Sequence, residues 1–345
     1  MIGISVYAGM EIDIEEILEY IEEAHNIGIN LLFTSAHIPE VGEKFEEDFE
    51  RILNLCNELG ITTIVDISKD YFERLDLKRY KIDYIRLDYG FTLKEAALMT
   101  KEHGYGISVN ATTFDEEQIE RFIEYGGKLD KINACHNFYP RKDTGISEEL
   151  FIEKNRIFKE YGIKTMAFIS TQYRRRGPVY EGLPTLEMHR DINPIVSAQH
   201  LLKLGADFIV VGDAMASIEE LKTLSSIKKD VTLLPIKLKD DISAVELSLL
   251  NHIHTNRIDP GECTIRSQES RLIKEGSILP NNNNMPRRKY SITIDNEEYN
   301  RYEGELQILK KDLNPDPRVN VVADGYESRI LIESLQPGEK FKFQF

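Results

Sequence analysis

The chain has 345 residues, in which 59 acidic side chains outnumber 43 basic ones for a net charge of −16. Such an acidic surface repels nucleic acid and anionic lipid, which argues against both as partners. Three scattered cysteines with no Cys-x-x-Cys pair suit a reducing compartment, and no apolar run approaches the ~20 residues of a membrane span.

The opening MIGISVYAGMEID lacks a basic stretch followed by an apolar core, so it reads as a first strand rather than a leader peptide. The expected location is therefore the cytoplasm. Seven further apolar runs follow: Leu31–His37, Thr62–Asp66, Tyr84–Asp88, Ile107–Asn110, Ile132–Asn137, Thr165–Ile169 and Phe208–Asp213. Helix-patterned stretches separate them: Glu11–Gly28, Phe45–Gly60, Thr92–Gly104, Asp115–Gly126, Ser147–Gly162, Ile195–Gly205 and Ser217–Lys229. Most of them close on glycine, the usual residue just past a helix end, and Asp115 and Ser147 have the character of helix N-caps. Eight strands alternating with helices predict a closed parallel (βα)8 TIM barrel, in which the carboxyl ends of the strands carry the active-site face.

From about residue 264 the pattern changes to short strands: SITIDN, GELQIL, RVNVVA, ILIESL and KFKFQF, with Phe341, Phe343 and Phe345 in strict alternation. The expected division is a barrel over 1–237, a linker over 238–262 and a small all-β domain over 263–345.

Four carboxylates fall at or just beyond strand ends, Asp66, Asp88, Glu181 and Asp213. Glycoside hydrolysis needs two such groups, one to protonate the leaving oxygen and one to act as base or nucleophile. Ser35, His37, Asn110, His136, Asn137, Tyr139 and Tyr180 are candidate ligands for sugar hydroxyls. Arg141, Arg176, Arg266 and Arg271 are candidates for a phosphate or carboxylate, which a guanidinium binds bidentately. Arg174 and Arg175 read as surface salt-bridge formers. No His-x-His or His-Glu-x-x-His motif is present, so neither a metal nor another cofactor is expected. Lys131 and Lys164 lie at strand starts, on the wrong face for a Schiff-base aldolase.

The segments FTSAHIPE, RLDYGF, ACHNFYPRKDTGIS, RRGPVYEGLPTLEMHR, IRSQESR and RYEGELQILKKDLNPDPRVNVV together resemble the MupG-like 6-phospho-N-acetylmuramidases, along the whole chain. The resemblance implies a TIM barrel followed by a cyclophilin-like β domain. It also implies a cytoplasmic glycosidase of peptidoglycan recycling that splits the phosphorylated amino-sugar disaccharide MurNAc-6-phosphate–GlcNAc. One departure is Lys69, where the family pattern is expected to place a proline. Two other readings fit the residues alone: a phosphosugar isomerase or lyase with His136 as base, and a non-catalytic sugar-phosphate sensor. The sequence leaves the oligomeric state open.

Overall fold

The computed structural model describes residues 1–36, 45–74, 79–102, 104–281 and 285–345. The chain forms two compact units, Met1–Ser226 and Ile227–Phe345.

In the first unit eight strands alternate with helices. They are β1 (Ile2–Ser5), α1 (Ile14–Asn26), β2 (Leu31–Ser35), α2 (Phe45–Leu59), β3 (Thr62–Ile67), α3 (Lys69–Arg74), β4 (Tyr84–Leu87) and α4 (Leu93–Glu102). The second half continues with β5 (Gly106–Asn110), α5 (Glu116–Glu124), β6 (Ile132–Cys135), α6 (Glu148–Glu160), β7 (Lys164–Ile169), α7 (Pro194–Lys203), β8 (Phe208–Val211) and α8 (Ile218–Ser225). The strands pair in parallel in sequence order, and β8 returns to β1 to close the barrel. The short helix α3 was not expected from the pattern. The predicted N-caps are in place: Asp115 accepts from the Gln118 amide in a full capping box, and Ser147 accepts from the Leu150 amide. Gly28, at φ 95°, leaves α1 in a left-handed turn that a Cβ would strain.

Side chains alternate between the barrel interior and the helix layer. On one side of the interior Tyr7, Leu31, Phe33, Ile64, Cys135, Met166, Phe168 and Val210 form a buried apolar cluster, with Phe33 and Phe168 edge to face at 5.1 Å. Burying each such ring contributes about 1.5–3 kcal/mol. The other side is polar. Ser35, Asp66, Arg86, Ser108 and Asn133 are successive register partners from β2 to β6, so they form one row across five strands. Two residues before the row crosses β5 the wall is tight, since a Cβ on Gly106 would lie 2.4 Å from the Tyr84 ring.

The second unit contains β9 (Val231–Pro235), β10 (Lys237–Leu238), α9 (Ala244–Leu250), β11 (Ile253–Thr255), β12 (Thr264–Arg266) and α10 (Ser270–Ile273). It ends with β13 (Ser291–Asp295), β14 (Leu306–Leu309), β15 (Val319–Asp324), α11 (Arg329–Ser334) and β16 (Lys340–Gln344). Five strands form a sheet in the order β10-β15-β13-β14-β12, and three form another in the order β11-β16-β9.

Three expectations change here. Residues 238–262 are not a linker, because β10, α9 and β11 lie within them and belong to this unit. The unit is mainly rather than wholly β. ILIESL is helical, and its apolar residues Leu331, Ile332 and Leu335 bury a helix face rather than one side of a strand. In β16, Phe341 and Phe343 are buried as their alternation predicts, whereas Phe345 is exposed. No helix among the described residues is long and apolar enough to cross a membrane.

Candidate active site at the barrel mouth

The polar row ends at the carboxyl side of the barrel in a charged knot around Arg86. Period two along β4 turns Arg86 inward, where it is 5% exposed. Its Nη1 donates to Asp66 Oδ1 at 2.5 Å and lies 3.7 Å from Asp88 Oδ1, while Nη2 donates to Asn137 Oδ1. Ser35 Oγ donates to the second Asp66 oxygen at 3.5 Å. Burial works against the guanidinium charge, but Asp66, and Asp88 less strongly, raise the Arg86 pKa. One arginine thus gathers four of the predicted residues, Ser35 through Asp66, and Asp66, Asp88 and Asn137 directly. Beneath it, Arg86 Nε, Ser108 Oγ and Asn133 Oδ1 are buried without hydrogen-bond partners. Asn110 stands at the end of β5, half-buried, with its Oδ1 accepting from the Thr112 amide at 3.0 Å.

The loop after β7 brings a second guanidinium to the mouth. Arg176 lies over the Tyr7 ring at 4.5 Å and the Phe138 ring at 5.2 Å, and makes no ion pair among the described residues. Burial raises the Tyr7 pKa and the Arg176 charge opposes the rise. The loop takes its shape from Asp213, whose two oxygens accept from the Thr171 amide at 3.0 Å and the Arg176 amide at 3.1 Å. Asp213 is fully buried, and burial raises its pKa against the pull of those amides. It is therefore placed to hold the loop rather than to meet a ligand as a base.

Arg190 ties the loop after β6 to the loop after β7. Its Nη1 donates to the carbonyls of Tyr139 at 2.9 Å and Gly182 at 3.0 Å, and its Nη2 to the Arg141 carbonyl at 3.0 Å. Glu187 pairs with it at 2.6 Å and also accepts from the Asp143 and Gly145 amides. The Arg190 hydrogen bond, aided by those amides, lowers the Glu187 pKa to about 2. This clamp fixes the backbone that carries Tyr139, Arg141, Tyr180 and Glu181. Glu181 is half-buried, and one of its carboxylate oxygens accepts from the Lys142 amide at 3.0 Å. Tyr180 OH donates to Glu11, which lines a small cleft with Tyr7, Met10, Arg176 and Ala214. Tyr139 is half-buried and Arg141 exposed.

Several predicted residues are elsewhere. His136 follows the inward Cys135 and therefore faces outward, fully buried between β6 and α6. Its Nε2 is paired with Asn155 Oδ1 at 3.0 Å and its ring lies 4.5 Å from that of Phe151. Burial lowers its pKa to about 4. It cannot serve as a ligand or base at the mouth. Arg266 and Arg271 belong to the second unit, where Arg266 pairs with Asp259 at 2.8 Å and both approach Glu305, at 3.7 and 3.2 Å. His37 lies outside the described residues. Lys69 is taken up by Glu95 at 2.7 Å, and Arg174 and Arg175 pair with Glu16 and Asp191 as the sequence suggests. The residues that the sequence does not single out are Arg86, Arg190, Glu187 and Glu11. For Arg86 the signal was available, since alternation from Tyr84 to Asp88 turns it inward with its neighbours.

An eight-stranded parallel barrel with carboxylates, amides and guanidinium groups collected at its carboxyl ends has the layout in which barrel enzymes build their sites. The chain belongs to the 6-phospho-N-acetylmuramidase family, whose N-terminal domain matches residues 2–226 and whose C-terminal domain matches residues 232–344. Two solved structures are similar over 100% of this chain. One is a conserved protein of unknown function from Enterococcus faecalis, at 28% identity and a TM-score of 0.82 over 96% of that chain. The other is an uncharacterized B. cereus protein, at 29% identity and a TM-score of 0.84 over 99% of that chain. No curated protein matches the chain.

Proposed function

We propose that the chain is a cytoplasmic glycoside hydrolase of peptidoglycan recycling that cleaves MurNAc-6-phosphate–GlcNAc to MurNAc-6-phosphate and GlcNAc. The observation that carries the reading is the meeting, at one barrel mouth, of carboxylates gathered by Arg86 with Arg176, a guanidinium that has no acid partner among the described residues. The full-length family match supports it.

In this reading the bond between the anomeric carbon and the bridging oxygen breaks. Glu181 protonates that oxygen, since only one of its carboxylate oxygens is engaged by a backbone amide. Asp88, at the exposed end of the Arg86 knot, acts at the anomeric carbon as base toward water or as nucleophile, and Asp66 holds Arg86 in place. Where the substrate's own acetamido oxygen attacks instead, Asp88 orients it. Asn110, Asn137, Ser35 and Tyr139 receive sugar hydroxyls, Tyr180 flanks the ring, and Arg141 takes the lactyl carboxylate.

The 6-phosphate falls to Arg176. Barrels often bind phosphate on backbone amides after strands seven and eight. Here the amides of Met215, Ala216 and Ser217 already donate to Arg174 O, Tyr20 OH and Glu220. A side-chain guanidinium, held on two aromatic rings, is a donor at that corner. The cyclophilin-like character of the second unit rests on the family resemblance and is part of the same proposal. The isomerase or lyase reading loses its base, because His136 faces the helix layer.

The test is to incubate the protein with the phosphorylated disaccharide and its unphosphorylated twin and to follow products by mass spectrometry. Cleavage of the phosphorylated compound alone is expected. Binding without cleavage of either compound would refute the hydrolase and favour the sensor.

A further inference from the structure

Two of the motifs that distinguish the sequence, IRSQESR and RYEGELQIL, take no part in the barrel. They come together within the second unit. Strands β12, β14 and β13 lie side by side, and Arg266, Gln307 and Thr293 are register partners in one cross-strand row. Paired residues share a face, and the face alternates along each strand. Glu305 and Asp295, each two residues from a member of that row, therefore belong to the same face. The opposite face carries Ile265, Ile292, Ile294, Leu306 and Ile308, all buried.

Thr293, Asp295 and Glu305 on the polar face are buried as well, while Arg266 and Gln307 are half-buried, and much of the hydrogen-bonding capacity there is unmet. Thr293 is 1% exposed and its hydroxyl has no partner. Arg266 Nε is buried without a partner. Asp295 is 5% exposed, and its carboxyl group makes no hydrogen bond or ion pair among the described residues. Burial, reinforced by the nearby Glu305, pushes the Asp295 pKa up to about 7, which makes it a donor as well as an acceptor near neutrality. The half-buried Gln307 amide also has no side-chain partner among the described residues. Glu305, 4% exposed, closes one end between Arg266 and Arg271. Buried polar groups are nearly always satisfied, so this many open valences on three adjacent strands, ~4.8 Å apart, call for a ligand.

The charge pattern selects its class. An anion would meet Asp295 and Glu305, and a cation would meet Arg266 and Arg271. A hydroxyl both donates and accepts, and suits every open group. We propose that this face of the second unit is a binding site for a neutral polyhydroxylated ligand, a saccharide, whose hydroxyls bridge Thr293, Asp295, Gln307 and Arg266. The site is built from residues of the second unit and does not rest on what the barrel hydrolyses.

Calorimetric titration of the full-length protein with N-acetylglucosamine, glucose and inorganic phosphate tests it. At least one of the two sugars is expected to bind with a millimolar Kd, equally in wild type and in Arg176→Ala. That affinity should fall at least tenfold in Thr293→Val and in Gln307→Leu. The half-exposed Gln307 keeps the test informative if Thr293→Val fails to fold. The proposal is overturned if neither sugar binds, if phosphate binds through these residues instead, or if sugar binding is lost in Arg176→Ala but kept in Gln307→Leu.

Discussion

Arg176 in the first unit and the pair Arg266 and Arg271 in the second carry the same group in different company. Arg176 rests on the faces of Tyr7 and Phe138 and makes no ion pair among the described residues. Arg266 and Arg271 converge on the buried Glu305, and Arg266 also holds Asp259. A guanidinium on aromatic rings keeps its donors available for an incoming anion at little cost, because the rings favour its charge without using its N–H groups. A guanidinium already bonded to a carboxylate must give up that bond first. The difference teaches that an arginine's role is set by what neutralises it. Of these three arginines, Arg176 is the one whose ion-pairing capacity is unused among the described residues.

The largest expected effect tests the machinery beside Arg176. Glu181→Gln keeps the shape and the bond from the Lys142 amide but cannot give a proton. Turnover of the phosphorylated disaccharide should fall by about 10³-fold with an unchanged thermal midpoint, the scale of a lost general acid. A rate within tenfold of wild type would remove Glu181 from the mechanism. Next in size is the arginine contrast itself. Arg176→Ala should raise KM for the phosphorylated substrate by about 10²-fold, or about 2.7 kcal/mol, and erase the preference over the unphosphorylated twin. Arg271→Ala should leave that preference intact. If both variants lose it equally, the contrast drawn from their partners fails.

How much of this was legible in the sequence depends on whether the deciding signal is periodic. The barrel was, because strands and helices differ in period and most of the helices close on a glycine such as Gly28. Asp66, Asp88 and Asn137 were also legible, since strand ends mark the site face. The clamp was not. Arg190 works through carbonyls of Tyr139, Arg141 and Gly182, and backbone carbonyls leave no trace in residue identity. Asp213 misled for the same reason, since a carboxylate satisfied by backbone amides looks identical in sequence to one aimed at substrate. His136 misled by one residue of phase, because Cys135 takes the inward place. ILIESL misled because four apolar residues in six fit a buried helix as well as a strand.

Breaking the clamp sharpens the distinction between holding a residue and being one that reacts. Arg190→Ala leaves Glu187 and several carbonyls without their partner in a buried site, which should cost about 3 kcal/mol of stability. Activity should drop about tenfold at a temperature where the variant remains folded, through loosened placement of Glu181 and Tyr139. Arg190→Lys should recover stability better than activity, because an ammonium cannot span the same carbonyls in a planar fork. Equal recovery of both would reduce Arg190 to a purely structural part.

The smallest expected effect concerns the helix layer behind the site. His136, His189 and His200 are buried, and burial is the main cause that lowers their pKa values to about 4, 3 and 4. His189 Nε2 and His200 Nδ1 are 2.9 Å apart, so that pair accepts a second proton poorly. In the unfolded chain a histidine titrates near 6.5. A folded pKa below the unfolded one means the unfolded state binds protons first as pH falls. The stabilisation is therefore complete above about pH 6.5 and is lost progressively toward pH 4. Glu187, with a folded pKa of about 2, contributes only to the further loss below about pH 4.5. Thermal midpoints should thus begin to fall near pH 6.5, before the acid limb of the carboxylates. In His136→Asn the slope between pH 6.5 and 4.5 should be shallower than in wild type. An unchanged slope would show that His136 titrates alike in both states and that its burial opposes no charge.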